Sequence, residues 1–136
     1  MYEKLISNYN FGDSCKFHHL GIGINKIESF DKNLIQKKIH DPIQKVNVYF
    51  FYMNDFLVEF VEPADENSPV SNSLKNHFNY FHICFSTNEF NILKNKFQTM
   101  NIRQISKPVP AIAFSNNKIV WFKCKNLGLI EIIINE

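Results

Sequence analysis

The sequence predicts an α+β protein made of two similar halves within a single domain. A β-rich segment, a helical segment and two or three further β-rich segments follow one another, and this order occurs twice. The length of 136 residues suits one domain, and 45% hydrophobic with 21% charged residues is typical of a folded globular protein. Within 1–136 we expect an N-terminal extension (1–15), a first module (16–63), a connector (64–77) and a second module (78–136).

The first half is predicted to begin with a strand over 16–25, in which side chains alternate between two faces. One face carries His19, Gly21 and Gly23. Because glycine weakens a strand interior, two glycines beside a histidine indicate a place where another group approaches the backbone. The opposite face, predicted to be ordinary core, consists of Leu20, Ile22 and Ile24.

The remainder of the first half is predicted to be one helix and a hairpin. Apolar residues at helical spacing place the helix over 27–39, and the sequence at 40–42 ends it because a residue before proline disfavours the helical region. Strands follow over 45–53 and 56–63, and Asn54-Asp55 suits the tight turn between them.

The connector and the second half repeat this pattern. We expect a short helix over 69–76 with Ser68 as its cap, a strand over 79–87, and a helix over 88–100 with Asn88 as its N-cap. The remaining β-rich segments are predicted to be strands at 101–106, 110–115, 118–125 and 128–135.

Charge and cysteine usage exclude several classes of protein. The net charge is +2 and the lysines are scattered, so we expect neither a nucleic-acid nor a membrane partner. Cys15, Cys84 and Cys124 form no CxxC pair, which favours a reducing compartment. No apolar stretch resembles a signal peptide or a membrane span, so a cytoplasmic protein is expected.

Four ionisable residues occupy corresponding apolar strands of the two halves. His19 and His82 lie on the first strand of each half, and Glu59 and Glu131 lie on the last. A buried carboxylate needs a positive partner, because burying it alone costs several kcal/mol. Two imidazoles and two carboxylates are suitable ligands for Co, Mn, Ni, Zn or Fe(II), whereas each residue alone is more often a core or surface residue. The sequence therefore predicts a divalent metal site if these residues converge.

The motifs around these four residues resemble the vicinal oxygen chelate superfamily (glyoxalase, bleomycin resistance protein and dioxygenase), and its methylmalonyl-CoA epimerase branch most of all. The quoted motifs are HHLGIGI at 18–24, VEFVEP with NSPVSNSLKN at 58–76, FHICFS at 81–86 and NLGLIEI at 126–132. This resemblance implies two βαβββ modules that form a cupped mixed β-sheet with the helices outside. It also implies that His19, Glu59, His82 and Glu131 are the metal ligands.

The resemblance further implies a metal-dependent isomerase or epimerase that acts at the carbon next to a carbonyl through a metal-stabilised enolate. Glu131 is then both a metal ligand and the catalytic residue. The implied substrate is a small molecule, with an acyl-CoA among the candidates. The implied assembly is a homodimer. The base of this branch maps to Asn47, and an amide cannot act as a general base. Glu62, Asp55 and His77 are near in sequence, but none is assigned as the second acid or base.

Two alternative functions stay open at this point. One is a glyoxalase-type lyase or another biosynthetic tailoring enzyme of the superfamily. The other is a non-catalytic protein that keeps the cup and binds a small molecule.

Overall fold

The computed structural model describes residues 2–7, 10–27, 32–75 and 80–136. The strands of the described chain form one sheet, and they are β1 (Cys15–Gly23), β2 (Ile39–Asp41), β3 (Val46–Met53), β4 (Phe56–Pro63), β5 (Phe81–Thr87), β6 (Arg103–Gln104), β7 (Val109–Pro110), β8 (Lys118–Cys124) and β9 (Gly128–Ile134). The helices are α1 (Lys32–Ile35), α2 (Pro69–Lys75) and α3 (Phe90–Thr99), with 3-10 turns at Tyr2–Leu5 and Ile112–Phe114.

The strand order in the sheet is β2-β3-β4-β1-β5-β9-β8-β6, and β7 pairs with β8. The two halves meet where β1 runs antiparallel to β5. On either side of this pair, β4 is parallel to β1 and β9 is parallel to β5. The first strand of each half therefore lies at the centre and its last strand lies next to it.

The core on the helical side of the sheet is divided between the two halves, because α1 and α3 pack their apolar side chains on different strands. Leu93 and Phe97 of α3 pack against Phe122, Ile130 and neighbouring residues of β8 and β9. Leu34 of α1 packs in a second cluster with residues of β3 and β4. The predicted α+β class with a mixed sheet of two repeated modules is confirmed, while the predicted module boundaries stay a prediction.

Two of the predicted elements are wrong at their ends. The helix predicted over 27–39 ends at Ile35, and Ile39–Asp41 forms the short strand β2 against β3. A strand of three residues has too few positions to show a period of two, so the sequence does not distinguish it from the continuation of a helix. The predicted strand over 110–115 is instead a 3-10 turn at Ile112–Phe114, which is followed by Ser115 in the left-handed region with φ of 54°.

Two predicted helix caps are also wrong. The N-cap position of α3 is Glu89, without a side-chain capping bond, and the carboxylate of Glu136 instead accepts the N–H of Phe90 at 2.8 Å. The Oγ of Ser68 is buried with no hydrogen-bond partner in the described chain. A capping bond depends on the direction in which the chain enters the helix, which residue type alone does not fix.

The aliphatic face of β1 is only partly core. Ile22 is 36% exposed, and its neighbour across the strand pair, Phe81, is 46% exposed. Both lie on the side of the sheet that α1 and α3 leave uncovered between them. Among the helices of the described chain, none has the length and apolar character required to cross a membrane.

Candidate metal centre

The register of the four central strands brings the predicted ligands onto one face of the sheet. Glu59 of β4 pairs with Gly21 of β1, and Gly21 pairs with His82 of β5. In the next row, His19 pairs with Cys84 of β5. Cys84 in turn pairs with Glu131 of β9. Each half therefore supplies one imidazole and one carboxylate from equivalent strands.

The glycine face of β1 leaves space for side chains of the second half. A Cβ built at Gly21 would overlap the imidazole of His82, and one built at Gly23 would overlap Tyr80. The group that approaches the glycines is therefore the opposite histidine strand, and Gly21 allows the His82 ring to lean across β1 towards Glu59.

The two imidazole Nε2 atoms lie close to each other and to one oxygen of each carboxylate. The two Nε2 atoms of His19 and His82 are 3.1 Å apart. The Oε1 of Glu59 lies 3.6 Å from Nε2 of His19 and 3.4 Å from Nε2 of His82. The Oε1 of Glu131 lies 3.5 Å from Nε2 of His19 and 3.9 Å from Nε2 of His82.

All four residues are withdrawn from water, and none exposes more than 4% of its surface. Burial, and then the charge of Asp41, raises the pKa of Glu59 to about 8. Burial, and then the charge of Glu59, likewise raises the pKa of Glu131 to about 8. Burial lowers the pKa of His19 to about 4 and that of His82 to about 3. The cluster thus contains two carboxyl groups and no side chain that supplies a positive charge.

This donor set fits a divalent ion. Ligand atoms held about 2.0–2.2 Å from one ion lie about 2.8–3.6 Å from each other in tetrahedral or octahedral geometry, close to the separations found here. In the described chain, Oε1 of Glu131 is buried without a hydrogen-bond partner. A buried unpaired carboxylate oxygen next to two neutral imidazoles is stabilised by a cation, and imidazole with carboxylate is the donor set of Mn, Fe(II), Co, Ni and Zn.

A β-bulge places His18 behind this centre. Phe17 pairs with Phe85 and His19 pairs with Cys84, so His18 is the additional residue of the bulge. Its Nδ1 lies 2.8 Å from Nδ1 of His19. The second nitrogen of a metal-binding histidine commonly makes such a hydrogen bond, which fixes the orientation of the ring.

The thiol of Cys84 lies close enough to His18 and His19 for these three to form a second possible ligand group. Burial, followed by the charge of Glu131, raises the pKa of Cys84 well above its usual range. Without an ion the thiol is therefore protonated, and its Sγ donates to the carbonyl oxygen of Phe85 at 3.7 Å. Because a bound metal deprotonates a coordinating thiol, this group stays a second candidate.

A cavity of about 230 Å³ adjoins the cluster, and Glu59, His82 and Glu131 form part of its wall. Tyr80 and Trp121 also line it. The ring of Phe114 stacks on His19 with an interplanar angle of 24°. The cavity therefore gives a small molecule access to the place where an ion would be bound.

Asp41 is the site residue that the sequence did not predict. It lies at the end of β2, is 4% exposed and lines the cavity. Its Oδ1 accepts the N–H groups of Ile43 at 2.9 Å and Gln44 at 3.0 Å, so the carboxylate is held in place. In the sequence, HDP at 40–42 indicates only the end of a helix, so no local signal marks Asp41 as a site residue.

The residues considered as further acids or bases lie elsewhere. Asn47 is not part of the cavity wall, to which its neighbours Val46 and Val48 contribute, and it donates to Oε1 of Glu62 at 3.2 Å. Glu62 also accepts the N–H of Ile27, on the face of the sheet opposite to Glu59. Asp55 is exposed in the hairpin turn, and His77 lies outside the described residues.

This fold and this cluster define a known class of protein. A family model described as the Glyoxalase/Bleomycin resistance protein/Dioxygenase superfamily matches residues 18–121, and the chain belongs to this superfamily. No curated protein matches the sequence.

Several solved structures have a fold similar to that of this chain, and methylmalonyl-CoA epimerases are among them. Methylmalonyl-CoA epimerase from Mycobacterium tuberculosis is 13% identical over 89% of this chain and 88% of that chain, with a TM-score of 0.68. A variant of the Streptomyces coelicolor epimerase in complex with 2-nitronate-propionyl-CoA is 17% identical over 88% of this chain and 93% of that chain, with a TM-score of 0.68. A hypothetical protein from Bacillus halodurans C-125 is 19% identical over 91% of this chain and 96% of that chain, with a TM-score of 0.72. At these identities the likeness shows the fold.

Proposed function

We propose that this chain is a metal-dependent enzyme that moves a proton at the carbon next to a carbonyl group, as an isomerase similar to methylmalonyl-CoA epimerase. The observation that carries the proposal is the convergence of His19, Glu59, His82 and Glu131 beside a cavity. The two Nε2 atoms lie 3.1 Å apart, and each lies 3.4 to 3.9 Å from one oxygen of both carboxylates. These four residues would hold the ion. When bound, a divalent ion acts as a Lewis acid that stabilises negative charge developing on a substrate oxygen.

Two carboxyl groups of the chain are available for the proton transfer itself. Glu131 lies on β9, and Asp41 lies on β2, with four strands between them in the sheet. Both line the same cavity, so they can approach a bound substrate from different directions. An epimerase needs an acid and a base on opposite faces of one carbon, and Glu131 and Asp41 are the pair that we assign to these roles in place of Asn47.

Other residues of the cavity hold the substrate and exclude water. Tyr80 is half-buried, and the burial of its hydroxyl raises its pKa well above the usual range, so the hydroxyl stays protonated. The indole Nε1 of Trp121 donates to Oε1 of Gln44 at 3.4 Å and connects β8 with the loop that follows Asp41. A dry cavity strengthens the electrostatic contacts between substrate and protein.

Elemental analysis of the purified chain tests the proposal. The wild type is expected to retain close to one equivalent of a transition metal, and His82→Ala is expected to lose it. His40→Ala is the matched control, because His40 is exposed and contacts Asn47 instead of the cluster. A wild type that binds no ion, or a His82→Ala variant with unchanged metal content, would overturn the proposal.

Deuterium exchange separates an enzyme from a binding protein. The loaded wild type is incubated in D₂O with methylmalonyl-CoA and with propionyl-CoA, and exchange at the carbon next to the thioester carbonyl is measured. Exchange above that of His82→Ala with either compound supports the enzyme. An ion-binding chain without exchange would favour the non-catalytic alternative.

The homodimer is part of this proposal. Phe17 and Phe56 are 46% and 58% exposed, and their rings contact each other. Exposed aromatic side chains in contact with each other are typical of an interface. Analytical ultracentrifugation is expected to give twice the mass of the chain, and Phe56→Glu is expected to shift it to the monomer.

A further inference from the structure

The wall of the cavity beside the metal centre is largely apolar. The residues that line it from the first half and the connector are Val46, Val48, Val61 and Val70. From the second half it is lined by Ala111, Ala113, Ile119, Trp121 and Leu129. Apolar walls bind the apolar part of a ligand, and the few polar groups among them set its orientation.

The charges of this wall all have one sign. Asp41, Glu59 and Glu131 contribute carboxyl groups, and no lysine or arginine is present among the described residues that line the cavity. The chain as a whole has 15 lysines and arginines against 13 acidic residues, so this lack of cations is local to the cavity.

An ion at the metal centre would not leave a positive charge for a second anionic group. Two carboxylates, Glu59 and Glu131, balance a divalent ion, and the two histidines contribute no charge as neutral ligands. Asp41 then remains as an uncompensated carboxylate on the cavity wall. A substrate carboxylate beside the reacting carbon would meet a like charge in a buried, poorly screened space.

We infer that the substrate is a small carbonyl compound whose reacting carbon bears an uncharged, apolar group, and that Asp41 disfavours a carboxylate at this position. This inference rests on the proposed function. It departs from a malonyl-type substrate, in which a carboxylate and the carbonyl are attached to the same carbon.

Two isosteric chelating probes test the inference. 3-Methylbutanohydroxamic acid and malonomonohydroxamic acid carry the same metal-binding group, and an isopropyl group in the first replaces a carboxylate in the second. Carbamoylacetohydroxamic acid has an amide at this place and separates polarity from charge. Binding is measured through the fluorescence of Trp121, the single tryptophan of the chain, whose ring lies 5.0 Å from that of His82.

The isopropyl probe is expected to bind the metal-loaded chain at least about ten-fold more tightly than the carboxylate probe, with the amide probe between them. Asp41→Asn is expected to reduce this ratio several-fold. Asp65→Asn is the matched control, because the exposed Asp65 makes the same type of backbone bond, to Asn67 at 2.7 Å, away from the cavity.

The outcomes distinguish this inference from the proposed function. A chain that retains an ion and binds the carboxylate probe as tightly as the isopropyl probe would overturn the inference alone. A chain without an ion by elemental analysis would overturn the proposed function and the inference with it. Because the wild type alone gives the ratio of the two probes, the test does not depend on the folding of Asp41→Asn.

Discussion

Gly21 and His82 face each other across the central strand pair, and a Cβ at Gly21 would overlap the His82 imidazole. The position of a candidate ligand in the second half of the chain thus depends on the absence of a side chain in the first half. The candidate metal centre is in this sense a product of the contact between the two halves of the chain.

Gly21→Ala is therefore expected to displace His82 and to lower the metal affinity at least about ten-fold, although alanine suits a strand no worse than glycine. Isothermal titration with the ion measures the effect. Ile22→Ala is the control, because Ile22 is the next residue of β1 on the opposite face. Equal affinity of Gly21→Ala and wild type would show that His82 does not need this space.

Asp41 and Asn47 are expected to differ sharply in their effect on turnover. Because Asp41 lines the cavity, Asp41→Asn should slow deuterium exchange about 10²-fold or more, as expected for the loss of a general acid or base. Asn47→Asp should leave exchange within about two-fold of wild type, because Asn47 contacts Glu62 away from the cavity. If Asn47→Asp exchanges faster than wild type, a carboxylate at position 47 acts as the base, as the family resemblance implies.

His18 is expected to orient His19 through the contact of their Nδ1 atoms. His18→Ala should weaken ion binding about 10-fold, and His18→Asn, which keeps a hydrogen-bonding group, should recover part of the loss. Competition with a chelating dye measures both affinities. If the two variants lose the same amount of affinity, the hydrogen bond has no role in holding the ring.

Removal of the ion is expected to destabilise the chain. An ion at 100 times its dissociation constant adds about 2.7 kcal/mol to the free energy of unfolding, which corresponds to a rise of several degrees in Tm. Differential scanning calorimetry with and without a chelator measures this shift in the wild type. The shift should vanish in Glu131→Gln if Glu131 is a ligand, and its persistence there would remove Glu131 from the set.

The ion-free chain is expected to lose stability as the pH rises from 6.5 to 8. Burial raises the pKa of Glu59 and Glu131 from 4.5 to about 8, so their contribution is complete below 4.5 and is lost as the pH rises through 8. His19 and His82, with pKa values lowered from 6.5 to about 4 and about 3, act in the opposite direction and only below pH 6.5. Among these four groups, the two carboxyl groups dominate the change between pH 6.5 and 8.

Urea unfolding at several pH values measures this slope, which should be of the order of 1 kcal/mol per pH unit. A variant with both Glu59→Gln and Glu131→Gln should show a flat profile over the same range. Saturating ion should abolish the wild-type slope, because the ion displaces the protons and the carboxylates are then deprotonated in the folded and the unfolded chain over this range. Rising stability of the ion-free wild type over this range would contradict the pKa shifts.

The central strands and the four-residue cluster were predictable because their signals are local or repeated. Strands such as β3 and β4 consist of long apolar and β-branched runs, and a buried glutamate in an isoleucine-rich strand, as at Glu131, is conspicuous. The equivalence of His19 with His82 follows from the repeat alone. The four side chains converge once the first and last strands of each half pair and the two first strands pair with each other.

Asp41 and the 3-10 turn at Ile112–Phe114 were not predictable in the same way. The strand β2 has three residues, and its position depends on pairing with β3, so the sequence around Asp41 looked like the end of a helix. The turn contacts β2 across the cavity, and the segment Ala111–Asn117 is closed by backbone bonds that residue types do not reveal. Both features arise from contacts between distant parts of the chain.

The position of the ion can be measured by anomalous diffraction at the absorption edge of the bound metal. One strong peak is expected, surrounded by Nε2 of His19, Nε2 of His82 and the carboxylates of Glu59 and Glu131. A peak among His18, His19 and Cys84 instead, or none in crystals of a chain that contains the metal, would contradict this expectation.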